Sequence, residues 1–282
     1  MQADQRDNTG LDDTGLDDTG LDDTGLDDTG RVHARYDLFG VPVDALSLGE
    51  AVAVCMAAVD RGELLEVGAV NAAKIVKMGR DPDLRAAVLG CDLIVADGQS
   101  VVWASRLLRR RLPERVAGID LFQRLLYLAE VQDRSVYFLG ARPEVLETMM
   151  ERLRAQHPAL RIAGSYHGYY ADDETPAVAD AIKASGADLL FLGMTSPKKE
   201  VFVSTYGART GAKVVHGVGG SFDVLAGVVK RAPLLWQRMG CEWLYRVLQE
   251  PRRLGGRYLT TNVAFIRLVA REWARSGRST TN

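Results

Sequence analysis

The chain has 282 residues, 47% of them hydrophobic and 26% charged, with a formal net charge of −2. That composition indicates a soluble globular protein, gives no basic excess for a nucleic-acid partner, and contains no run of about 18 uninterrupted apolar residues to span a membrane. Three cysteines, Cys55, Cys91 and Cys241, lie far apart without metal-ligand spacing, which points to a reduced cytosolic setting rather than a disulfide scaffold.

The charge is unevenly placed. Residues 1–30 carry ten Asp and one Arg, with LDDTG repeated four times from Leu11 to Gly30 after a degenerate copy, DNTG. One Leu per five-residue unit cannot bury enough apolar surface against about 1 to 2 kcal/mol of backbone entropy per residue, so a disordered acidic tail is expected. Calcium-binding Asp/Gly turn arrays alternate their turns with stacking strand residues, and these repeats have none. The absence of an early apolar run argues against a signal peptide.

Residues 31–230 read as an α/β core. Strand-length apolar runs occur at Leu64–Val70, Leu93–Ala96, Val136–Leu139, Leu160–Ala163, Leu189–Leu192 and Val214–Val218. They alternate with helical patterns, as in NAAKIVKM, DGQSVVWASRLL and GARPEVLETMMERLR. The pattern predicts a Rossmann-like, mainly parallel sheet flanked by helices. In such sheets a ligand lies outside the carboxyl ends of the strands, so the following loops are where chemistry is sought.

Three of those loops carry candidate residues: Asn71, then Asp97 with Gly98, then Gly219, Gly220, Phe222 and Asp223. An amide, a carboxylate and a glycine turn on one rim suit a sugar nucleotide, with backbone N–H groups open to phosphate. Asn71 and Asp97 each also fit an ordinary helix N-cap, and GVGG at Gly217–Gly220 is not GxGxxG and by itself marks a tight turn. His157, His167, Tyr169 and Tyr170 read as structural, and His216 as a weak candidate beside the glycine turn.

Residues 231–282 hold ten Arg and three Glu, a local charge of about +7, and form a basic helical appendage. Arg246, Arg253 and Arg257, near Trp236, Trp243 and Tyr245, are candidates to clamp a diphosphate. Pro251 and the Gly255–Gly256 pair are expected to interrupt the helix carrying them. Further on, Val263, Ile266, Ala270 and Trp273 share one helical side, with Arg267, Arg271 and Arg275 on another. That pattern suits an interfacial helix on anionic lipid, or packing against the core or another subunit.

Nine ordered segments carry a family resemblance: VNAAKIV, ADGQSVV, ERVAGIDL, FLGARPEV, HPALRIAGSYHGYY, LGMTSPKKE, GVGGSFDVLAG, KRAP and EWLYRVLQEPRR. They lie between Val70 and Arg253, and the chain from about Tyr36 to Tyr258 resembles the WecG/TagA/CpsF bacterial glycosyltransferases, glycosyltransferase family 26. The resemblance implies an inverting, metal-independent transfer needing no cofactor. A sugar, N-acetylmannosamine or another hexose, passes from a nucleotide donor, UDP in particular, to a lipid-diphosphate-linked acceptor in cell-surface glycan synthesis.

In family terms Asp97 matches the proposed general base. Asn71 is expected as a substrate-positioning amide and Arg115 as a further arginine standing in for a divalent cation, while Lys199 occupies a position the family associates with the nucleotide, where a cation suits a phosphate or an acidic sugar. The resemblance also implies a C-terminal appendage that closes over the nucleotide on the cytoplasmic face of the membrane, and a homo-oligomer is an open expectation. Two positions depart from the pattern: Ala69 stands where the family has Thr, and Lys199 where it has Gln. They keep a rival in view, a non-catalytic nucleotide-sugar binding or scaffold protein. A dinucleotide oxidoreductase is disfavoured because the fingerprint GxGxxG is absent.

Overall fold

The computed structural model of the chain describes residues 33–238, 240–249 and 251–279. The acidic repeats therefore lie outside the described residues. The described residues open with a short antiparallel hairpin, β1 (Arg35–Asp37) and β2 (Pro42–Asp44). Its three-residue strands are too short to show an apolar period, so sequence reading passed over them. Buried Asp44 ties the hairpin to the sheet: its carboxylate takes two bonds from Arg35, one from His33 and one from the Ile94 N–H. Burial alone would raise the Asp44 pKa, but these donors hold it below the ordinary value.

The main sheet follows the predicted alternation of strand and helix. Helix α1 (Leu48–Arg61) precedes β3 (Leu65–Val70); α2 (Ala72–Met78) and α3 (Pro82–Leu89) lead to β4 (Leu93–Ala96). Then α4 (Gln99–Leu107) and α5 (Gly118–Val131) lead to β5 (Ser135–Gly140), and α6 (Pro143–Gln156) to β6 (Arg161–Tyr166). The second half continues with α7 (Thr175–Ser185), β7 (Leu189–Gly193), α8 (Lys198–Tyr206), β8 (Val214–Gly217) and α9 (Ser221–Leu225).

The six strands β3–β8 pair in the order β4-β3-β8-β7-β5-β6, and every pairing is parallel. Inner strands are covered on both faces, which is why SVYFLG and LLFLG read as near-continuous apolar runs. At the edge, β6 keeps exposed residues at both ends. Phe122, Phe138, Phe191 and Phe222 form a fully buried aromatic cluster against the sheet. The parallel arrangement puts every strand's carboxyl end, and its following loop, on one rim.

Three further helices close the described chain: α10 (Leu234–Arg238), α11 (Glu242–Gln249) and α12 (Pro251–Ser279). The break expected at Pro251 is present, since α11 ends at Gln249 and α12 begins at Pro251, whereas the Gly255–Gly256 pair lies within α12 without interrupting it. Proline at the first helical position lacks only an N–H that has no intrahelical acceptor there. Arg246 thus belongs to α11, while Arg253 and Arg257 belong to α12.

Helix α12 packs against α2. Phe265 is buried and meets Phe39 edge-on at 5.2 Å, and Arg110 bonds Glu272 across 3.3 Å. The side of α12 with Phe265, Leu268 and Val269 faces the core, so the stripe singled out from sequence points outward. Val263, Ile266 and Trp273 are 40%, 65% and 59% exposed, beside exposed Arg267, Arg271 and Arg275. No helix among the described residues is long and apolar enough to cross a membrane.

Candidate active site

Asn71 and Asp97 follow β3 and β4 directly, so the parallel pairing of Val70 with Ala96 brings them side by side. Asn71 caps α2 by accepting the Lys74 N–H at its Oδ1, 3.0 Å away. Its Nδ2 donates to Asp97 Oδ2 at 3.4 Å. The cap therefore fixes the side-chain rotamer that turns the amide toward Asp97. Gly98 permits the approach, since a Cβ there would lie 2.9 Å from the Asn71 Cβ.

Asp97 is not a cap of its own helix; Gly98 holds that position in α4 and supplies no side-chain bond. Instead Asp97 Oδ1 accepts the Gly118 N–H, 3.0 Å away, at the first turn of α5. The positive end of that fourteen-residue helix favours a carboxylate there. The Gly118 carbonyl in turn accepts from His216 Nε2 at 3.2 Å. Burial pushes the His216 pKa down to about 4, which keeps the ring neutral. One residue, Gly118, thus links the half-buried acid to a fully buried histidine on β8.

A half-exposed carboxylate, held by a main-chain donor and a side-chain amide at the rim of a parallel sheet, has the chemistry of a general base for a hydroxyl placed beside it. The model of the Glycosyl transferase WecG/TagA/CpsF family matches residues 36–279. The chain belongs to that family. It is a glycosyltransferase of a family that acts in cell-surface glycan synthesis.

On this rim the transferase sets the Gly217–Gly220 turn after β8, with Gly219 at φ +55° and Gly220 exposed. Asp223 lies on α9 within the field of Arg142, whose side chain bonds Tyr169. Arg142 escaped sequence reading because a lone Arg before Pro143 carries no local signal. Phe222 requires a correction. Expected to line the ligand, it is fully buried between Phe122 and Phe138, at ring distances of 5.9 Å from each. The short helix α9 presents that apolar position to the sheet and leaves Asp223 at the rim.

Lys199 lies in the first turn of α8, and its Nζ reaches back to the Gly217 carbonyl at 3.4 Å. Its neighbour Lys198 leaves the rim, placing its ammonium 4.3 Å above the Tyr170 ring. Arg115 sits in an ion-pair cluster that joins the core to α11. It bonds Glu242 directly, while Arg231 grips Asp120 with two bonds of 2.6 and 2.9 Å and reaches Glu242 at 3.3 Å. The side chains of Arg246, Arg253 and Arg257 lie outside the described residues. Among the described residues no cluster of His, Cys, Asp or Glu is placed to hold a metal ion.

Proposed function

We propose that the transferase moves a hexose, N-acetylmannosamine being one candidate, from a UDP-sugar to a hydroxyl of a lipid-diphosphate-linked acceptor, with inversion and without a metal. The observation that carries this reading is the Asp97 carboxylate, held between the Gly118 N–H and the Asn71 amide at the strand ends. The acceptor oxygen attacks the anomeric carbon as its proton passes to Asp97. The bond from that carbon to the diphosphate oxygen breaks, and its electron pair leaves with the nucleoside diphosphate. Inversion requires a single carboxylate beside the acceptor rather than the carboxylate pair of a glycosidase.

The departing diphosphate needs cationic or N–H stabilisation. Arg246, Arg253 and Arg257 in the basic appendage are assigned that role, with Asn71 orienting the donor beside Asp97. The outward α12 face, with Ile266 and Trp273 among Arg267, Arg271 and Arg275, supports peripheral binding to anionic lipid on the cytoplasmic side, where a lipid-linked acceptor resides.

The test is nucleotide release by the full chain from a panel of UDP- and GDP-sugars, with a lipid-diphosphate-sugar acceptor and with chelator in place of metal. Acceptor-dependent release from one donor, lost in Asp97→Asn, is the expected result. Donor binding without release from any member of the panel would favour a binding or scaffold role instead.

A further inference from the structure

A group of three charged side chains lies under the β8 turn, and the proton transfer to Asp97 leaves its arrangement unexplained. Glu200, 7% exposed in its side chain, has Lys74 Nζ 2.9 Å from Oε1 and Lys199 Nζ 3.9 Å from the same atom. The lysine side chains are themselves 12% and 14% exposed. Two ammonium groups therefore share one carboxylate, and Lys74 holds the closer position. Burial alone would push Glu200 up, yet Lys74 and Lys199 carry it below its ordinary value, so the acid remains charged and one positive charge is in excess.

The surplus charge falls on Lys199. Its bond to the Gly217 carbonyl is long at 3.4 Å, so most of the hydration that burial removed is not replaced. Burial first, and then Lys74, push its pKa down to about 8, against Glu200 and Asp97. Glycines shape its path. A Cβ on Gly217 would lie 3.1 Å from Lys199 Cδ, and one on Gly219, itself at φ +55°, would lie 3.3 Å from Nζ. The side chain thus runs beneath the turn and delivers its ammonium to the carboxyl end of β8. The cavity behind it, lined by Lys74, Cys91, Glu200 and Val203, measures about 20 Å³. That is room for about one water and none for a phosphate, so an anion must reach Lys199 from the rim.

We propose that Lys199, positioned by Glu200 and Lys74, is an oxyanion subsite of the donor pocket, taking either a phosphate of the nucleoside diphosphate or a carboxylate on the donor sugar. The inference rests on the reading of this rim as a nucleotide-sugar pocket. An ammonium bonded to an oxyanion forms a short charge-assisted bond, which the excess charge favours and a neutral amide at the same position would make only weakly.

The test is equilibrium binding of UDP, UDP-glucose and UDP-glucuronate to the full chain and to Lys199→Gln and Lys199→Arg, read by calorimetry from pH 6.5 to 9.5. Lys199→Gln is expected to weaken binding about 10- to 100-fold, with partial recovery in Lys199→Arg. A loss common to all three ligands identifies the phosphate as the anion; a loss confined to UDP-glucuronate identifies the sugar carboxylate. The affected affinity of the natural chain should also decline as pH rises through about 8, and this decline should vanish in Lys199→Gln. The groups facing Lys199 across that titration are Lys74 from α2, Glu200 from α8, Asp97 after β4 and His216 from β8. Affinities within twofold of the natural chain for all three ligands, in a Lys199→Gln variant of unchanged melting temperature, overturn the subsite. Failure of the natural chain to bind any of the three sinks the pocket reading and the subsite with it.

Discussion

Asn71 serves two partners at once: its Oδ1 caps α2 through the Lys74 N–H, and its Nδ2 reaches Asp97 Oδ2 across 3.4 Å. The cap and the site therefore share one side chain, and substitutions can separate the two roles. Asn71→Ala should cost about 1 kcal/mol of stability through the lost cap and should also lower turnover. Asn71→Asp keeps the capping oxygen but sets a second negative charge beside Asp97, so it should retain stability and still lose rate. Urea unfolding paired with steady-state kinetics checks both, and an Asn71→Asp variant with full rate would remove the amide from the mechanism.

Asp97→Asn retains an oxygen that can accept the Gly118 N–H but cannot take a proton from the acceptor. Turnover should fall by about 10²- to 10⁴-fold while the melting temperature stays close to that of the natural chain. Single-turnover assays with saturating donor separate this loss from weakened binding.

Gly193 ends β7 directly beneath Phe222, where an added Cβ would stand 2.2 Å from the ring. The clash is with a fully buried aromatic ring in a packed cluster, so the neighbour cannot swing into solvent. Gly193→Ala should destabilise the protein by about 1 to 3 kcal/mol, readable as a lower urea midpoint.

His216 gives the acid limb of stability a definite sign. Its folded-state pKa of about 4 lies below the unfolded value near 6.5, so the unfolded chain binds more protons between the two. Stability from this residue is present above about pH 6.5 and is lost progressively as pH falls toward 4, by on the order of 3 kcal/mol. Glu66 works the other way over an overlapping range, because burial and Asp92 push its pKa up to about 7. The comparison is therefore the difference between the natural chain and His216→Gln, whose unfolding free energy should fall less, or rise more, as pH drops from 6.5 to 4.5. Identical pH profiles for the two would refute the assignment.

The cluster of Arg115, Asp120, Arg231 and Glu242 joins α11 to the core at partly buried positions. Glu242→Gln removes the α11 anion of the cluster and leaves Arg115 and Arg231 only Asp120 on the core, so it should loosen the C-terminal segment more than it lowers global stability. Limited proteolysis should then cut after residue 230 sooner than in the natural chain, with the urea midpoint shifted only slightly.

Much of the architecture was legible in the sequence because a parallel sheet buries both faces of its inner strands. Runs such as LLFL at Leu189–Leu192 were apolar throughout, and their placement was accurate to a residue or two. The hairpin of Arg35–Asp37 and Pro42–Asp44 was not, since three-residue strands carry no period and their anchor, Asp44, acts through partners as distant in sequence as Ile94. In helix α12 only the Gly255–Gly256 pair was misread: two glycines weaken a helix interior without ending it, whereas Pro251 does mark the break and begins the new helix.

The sequence by itself determined the order of strands and helices, the family, and the position of Asn71 and Asp97 at strand ends. All of these are encoded in short runs of residues. Tertiary structure alone decided which of the candidates meet. The strand order β4-β3-β8-β7 brings Asp97, Asn71, the Gly217–Gly220 turn and Lys199 onto neighbouring loops, while it turns Phe222 inward and ties Arg115 to Glu242. It also joined Lys74 to Glu200, 126 residues apart by number, into a charged group that no local pattern announces. Local patterns record what each segment must bury; the lateral order of strands depends on packing among segments far apart in the chain, and that order sets which charges face one another.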